Sequence, residues 1–181
     1  MYIETFTPTE AAAFIELPTK KIYKEVEYRI LPEYNPPRLN FAALVYLRLI
    51  KEIDFFNVDF RLYLYQSLVR ALEQNLPTIE IARFIKIEVE PIAKEVLEFI
   101  NCFQLWKENL VSDPNIMGGE AVFPNSRLTV RHIGSMLDRG ESIETIHEDY
   151  PYLTEEDIKF AQVYVKAYPS VGRPKKNQIP D

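Results

Sequence analysis

At 181 residues, 47% of them hydrophobic and only one a cysteine, the chain can bury one moderate core or two small ones without a disulfide framework. Its formal net charge of −6 excludes binding to nucleic acid through bulk charge, so any DNA contact must come from a local basic patch. No apolar run is long enough to span a bilayer, and the opening MYIETFTPTE has neither a basic nor an apolar leader segment, so a cytoplasmic protein with no membrane partner is expected.

Thr7, Pro8 and Glu10 have the spacing of a capping box with proline at the first helical position, which predicts a short helix from about Pro8 to Glu16. Pro18 interrupts it, and Thr19 is placed to cap a second helix with Ile22, Val26 and Ile30 on one side. Two short helices joined by so tight a turn make a helix-turn-helix. The second helix opens with cations, and Thr19, Lys20, Lys21, Tyr23 and Lys24 are the candidate DNA-binding residues. A solvated lysine face is the competing reading; DNA contact is favoured over it because a helix start does not itself attract lysine. The apolar segment LNFAALVYLRLIKEI, ending near Phe56, completes a three-helix domain of the plain or winged kind over residues 1–57.

From 58 to 110 the pattern gives a helix, then TIEIARFIKIEVE with strand-like alternation, then a helix opened by Pro91. In that last helix Ile92, Val96, Phe99, Phe103, Trp106 and Leu110 recur at alternating steps of four and three, which fits either a homodimer seam or a face buried within the chain. Cys102 lies among apolar neighbours and is expected to be a buried, inert thiol. Residues 111–169 form a further helical domain, with short strands at 121–123 and 128–130 about a Pro124-Asn125-Ser126 turn, a helix from Val130 to Gly140, and a helix capped by Ser142. The chain ends in a polar tail over 170–181 containing Arg173, Lys175 and Lys176. The fold class read from these elements is α+β, mainly α.

A second helix-turn-helix pattern spans Ser142 to Val165, but its second helix opens with Glu155, Glu156 and Asp157, which suit the helix dipole and repel phosphate. It reads as a packing or partner-binding module. No metalloprotease HExxH, cysteine pair, phosphate loop or G-x-S-x-G elbow is present, so neither catalytic nor metal residues nor a cofactor are expected.

Ser112-Asp113-Pro114, Gly118-Gly119, Arg127, Val130, Glu148-Asp149-Tyr150-Pro151, Leu153-Thr154 and Asp157-Ile158 together resemble a bacterial and archaeal family of small domains of unknown function (433) found in antitoxin-like proteins. Where that family has Gly-Thr-Arg in the turn, this chain has Asn125-Ser126-Arg127, so a different turn backbone is expected. The longer arrangement is similar to VapB-type antitoxins. What the resemblance implies is a dimeric, non-catalytic antitoxin that represses its own operator DNA and neutralises a PIN-like ribonuclease toxin. A cationic tail could take the place of metal in such a nuclease's carboxylate cluster, which would make Arg173, Lys175 and Lys176 the toxin-binding residues. A stand-alone dimeric transcription regulator, or an adaptor that never meets DNA, are the alternatives.

Overall fold

The computed structural model describes residues 5–34, 36–53 and 56–170. Among them the chain is mainly helical with one small antiparallel sheet, the α+β, mainly α class that the sequence indicates. Helix α1, Pro8–Ile15, starts as its capping box dictates: the Thr7 hydroxyl accepts from the Glu10 amide at 3.2 Å, and Glu10 Oε2 accepts from the Thr7 amide at 2.8 Å. Ala11, Ala12, Ala13, Phe14 and Ile15 are all buried, so α1 is enclosed on every side rather than amphipathic. Its alanines allow the close approach this requires.

Helix α2, Thr19–Glu27, begins one residue earlier than the sequence suggests. Its N-cap is Pro18, which has no side chain able to accept a hydrogen bond, and Thr19 is already helical. Helix α3, Phe41–Glu52, is capped by Asn40 and buries Ala43 to Leu47 without a break. It stops short of the expected Phe56: Ile53 is its C-cap, and Asn57 caps the next helix.

Helix α4, Val58–Glu73, leads into the hairpin of β1, Thr78–Ala82, and β2, Ile85–Glu88, with Ile79 opposite Ile87 and Glu80 opposite Lys86. Helix α5, Val89–Glu108, follows directly and holds Pro91 in its first turn, where the missing amide hydrogen costs nothing. Beyond it, Val122 bridges both Val111 and Thr129. The two expected strands shrink to these single bridges because Thr129 caps the next helix and Val130 is its first residue, leaving no length to pair. Helices α6, Val130–Asp138, α7, Ile143–Asp149, and α8, Glu155–Ala167, complete the chain, each with a side-chain N-cap: Thr129, Ser142 and Thr154.

One hydrophobic core runs from Phe6 to Ala167. Its centre is aromatic: Phe14 of α1 packs at a tilt against Phe103 of α5, ring centroids 5.1 Å apart, and Phe160 of α8 meets both Phe103 and Trp106 at 5.6 Å. Of the heptad-like stripe, Val96, Phe103 and Trp106 are buried inside the chain, while Ile92, Phe99 and Leu110 pack against the same core. The stripe is therefore an intramolecular face, the second of the two readings its spacing allows. Cys102 corrects the other expectation for α5, since it is exposed. It sits between Phe99 and Phe103 in sequence, but the helical turn carries it away from the side they bury.

Candidate nucleic-acid interface

On α2, Lys20, Tyr23, Lys24 and Glu27 lie at i, i+3, i+4 and i+7, one side of a helix. All four are exposed, Tyr23 by 49%. Three of the five residues singled out in the sequence therefore share an open face. The other two do not: Thr19 is half-buried at the helix start, and the half-buried Lys21 turns toward α3, where its Nζ donates to the Ile50 carbonyl at 3.5 Å. The first turn of α2 has no side-chain cap, and helix amides left this way are ready donors to phosphate. Beyond α2 the chain exposes Arg29, Tyr34 and Arg38 before Leu39 pairs with Phe6 through two 2.8 Å hydrogen bonds.

The back of α2 holds a residue that the sequence reading passed over. Glu25 is 1% exposed, accepts from the Tyr46 hydroxyl at 2.8 Å, and forms an ion pair with Arg61. Arg61 also lies over the Tyr28 ring at 5.5 Å. A carboxylate can be buried only with such partners, and removing one partner of a buried pair costs about 3–5 kcal/mol. Burial first, and then the carboxylate that accepts its proton, push the Tyr46 phenol far above its usual range. The result is a brace tying α2 to α3 and α4. Its sequence signal is position 25 itself: it falls on the Ile22–Val26 side of the helix, where an acid needs a buried partner.

The C-terminal helices differ in chemistry. Glu155 and Glu156 are exposed at the start of α8, with Glu155 3.2 Å from Lys159. Asp157 turns inward: its Oδ2 accepts from the Thr154 amide at 2.9 Å and hydroxyl at 2.8 Å, and its Oδ1 accepts from Trp106 Nε1 at 2.9 Å. The Asp157 carboxylate is thus committed to the helix cap and to α5. His147 Nδ1 lies 2.9 Å from the Leu153 carbonyl, and His132 Nε2 lies 3.4 Å from the Tyr150 hydroxyl. Among the described residues, no three histidines, cysteines or acids gather as a metal site, and no helix is long and apolar enough to cross a membrane. Arg173, Lys175 and Lys176 lie outside the described residues.

Residues 110–165 match the family Protein of unknown function (DUF433). A curated relative, the uncharacterized protein y4eO of Sinorhizobium fredii (strain NBRC 101917 / NGR234), is 30% identical over 90 residues, which make up 50% of this chain and 41% of that protein. The match thus spans less than half of that relative. No solved structure matches the chain.

Within residues 110–165, the motif residues act as caps and turns. Asp113 Oδ1 accepts from the Asn115 amide at 2.8 Å, and Gly118 and Gly119 take φ of 68° and 87°. Asn125, where the resembled family has glycine, adopts φ of 56°, a left-handed conformation that asparagine tolerates. Ser126 closes the turn, donating to the Phe123 carbonyl at 3.0 Å and accepting from the Leu128 amide at 3.1 Å. Gly134 of α6 lies so close to α8 that an added Cβ would be 2.4 Å from the Ala161 carbonyl oxygen.

Proposed function

We propose that this protein reads duplex DNA with α2, repressing its own operator, and offers its C-terminal segment to a protein partner as the antitoxin of a type II toxin–antitoxin pair. The observation that carries the reading is the open face of Lys20, Tyr23 and Lys24, held from behind by the buried Glu25. Two ammonium groups one turn apart suit consecutive phosphates, the uncapped first turn adds amide donors, and Tyr23 between them can reach a base edge. Lys21, directed to Ile50, contributes less. The exposed Glu155 and Glu156 keep the second motif from phosphate and suit a basic protein surface instead.

The partner half of the proposal is supported by the resemblance to VapB-type antitoxins, which points to a PIN-like ribonuclease met by the tail residues Arg173, Lys175 and Lys176. Two experiments test the two halves. Binding to the protein's own promoter is titrated across salt concentrations for the wild type and for Lys20→Ala/Lys24→Ala; unchanged affinity and salt slope would remove α2 as the reader. Co-purification with the product of the neighbouring gene, with a nuclease assay of the mixture, tests the antitoxin role. Promoter binding without any such complex would leave a stand-alone regulator, and a chain truncated after Pro169 that still inhibits fully would clear the tail of its role.

A further inference from the structure

The tip of the β1–β2 hairpin carries the most exposed large apolar side chain of the described residues, Phe84, with 88% of its surface open to solvent. The guanidinium of its neighbour Arg83 lies 5.2 Å from the Phe84 ring centroid, so the tip is an aromatic plug with a cation beside it. A single exposed apolar side chain is ordinary on its own. This one has a counterpart at the other end of the same hairpin. There a groove of about 430 Å³ opens between the end of α4 and the start of α5, walled by Leu72, Leu76, Ala93 and Leu97 with Glu90 on its lining. Leu76 and Leu97 are 44% and 48% exposed, so the groove is apolar and uncovered.

We propose that this groove receives Phe84 of a second copy of the chain, and that each copy's Phe84 enters the other's groove. Pro77 and Val89, the residues that bracket the hairpin, both line the groove, so plug and socket are opposite ends of one element. Five strand residues separate them by about 17 Å. Two such hairpins laid side by side in opposite directions about a two-fold axis bring each tip to the other's base, and one rotation satisfies both insertions and closes the assembly. Charge agrees with this placement. Arg83 arrives with Phe84 where Glu90 is exposed, while Lys94 on the same lining is 3.8 Å from Glu98 of its own helix. Glu80 and Lys86 already face each other across the strands and add no net charge to the approach. The surface is distinct from the α5 stripe, whose apolar residues are packed inside the chain, and the inference depends on neither DNA nor a toxin.

The test is the mass of the full chain by sedimentation equilibrium at tens of micromolar. The wild type is expected to sediment as a dimer of the 21.2 kDa chain. Phe84→Glu is expected to sediment as a monomer with an unchanged circular dichroism spectrum, since the side chain is almost wholly in solvent. Arg83→Glu and Glu90→Arg should each weaken the dimer at least about tenfold, and the double variant should recover to within about threefold of wild type. A monomeric wild type, or a dimer unaffected by Phe84→Glu, would overturn the proposal.

Discussion

Replacing Tyr46 with phenylalanine deletes one hydroxyl from the brace beneath α2 and changes almost nothing else. Tyr46 has no exposed surface, and its ring packs edge-on against Tyr65 at 5.5 Å, a contact that phenylalanine keeps. What is lost is the 2.8 Å bond to Glu25, leaving a buried carboxylate with Arg61 as its remaining side-chain partner. A hydrogen bond to a charged group contributes about 1.5–3 kcal/mol, so Tyr46→Phe should unfold about 2 kcal/mol more easily at neutral pH, with Tm lower by about 4–8 °C. The difference should depend on pH in one direction. The folded pKa of Tyr46 lies above the unfolded value near 10, so below pH ~10 both states hold the proton and the bond contributes fully. Above that, only the unfolded chain releases the proton, and by pH 11 the wild type has lost about 1.4 kcal/mol that Tyr46→Phe cannot lose. Urea unfolding at pH 7 and pH 11 should therefore show a gap that narrows from about 2 kcal/mol to below about 1 kcal/mol. Equal stabilities at pH 7, or a gap that widens in alkali, would refute the brace.

Gly134→Ala should destabilise by about 1–3 kcal/mol in thermal melts despite the better helix propensity of alanine, because its Cβ would meet the backbone of α8 at 2.4 Å. Lys20→Ala/Lys24→Ala should reduce the salt slope of promoter binding by about 2, whereas Lys21→Ala should change it by less than about 1 because that ammonium faces Ile50. Phe160→Ala should cost about 3–5 kcal/mol and lower the unfolding midpoints of both ends of the chain together; a transition confined to the C-terminal helices would contradict the continuous core.

The features legible in the sequence are those decided within a few residues. Thr7-Pro8-Glu10 carries a helix start in its own spacing, Ser142 and Thr154 do the same, and the alternation around Ile79 and Ile87 yields the hairpin. The stripe on α5 announced a buried face, but periodicity says only that a face is covered and never by what; the covering residues, Phe14 and Phe160, lie far away on α1 and α8. Glu25 escaped for the same reason, since its burial depends on Arg61 on another helix. The burial expected of Cys102 rested on its neighbours' chemistry, when the angle of the position around its helix decides the outcome; the same angle turns Lys21 toward Ile50 and away from the face of Lys20 and Lys24.

The enclosure of α1 also sets an order of events during synthesis. This helix leaves the ribosome well before α8, the last described helix, on which it packs. Until α8 emerges, Ala11 to Ile15 have no complete burial, and α2, which leans on α1, has an unfinished support. The face of α2 proposed to meet DNA is thus made early and finished late: a nascent or truncated chain lacking α8 carries Lys20 and Lys24 without the complete support behind them.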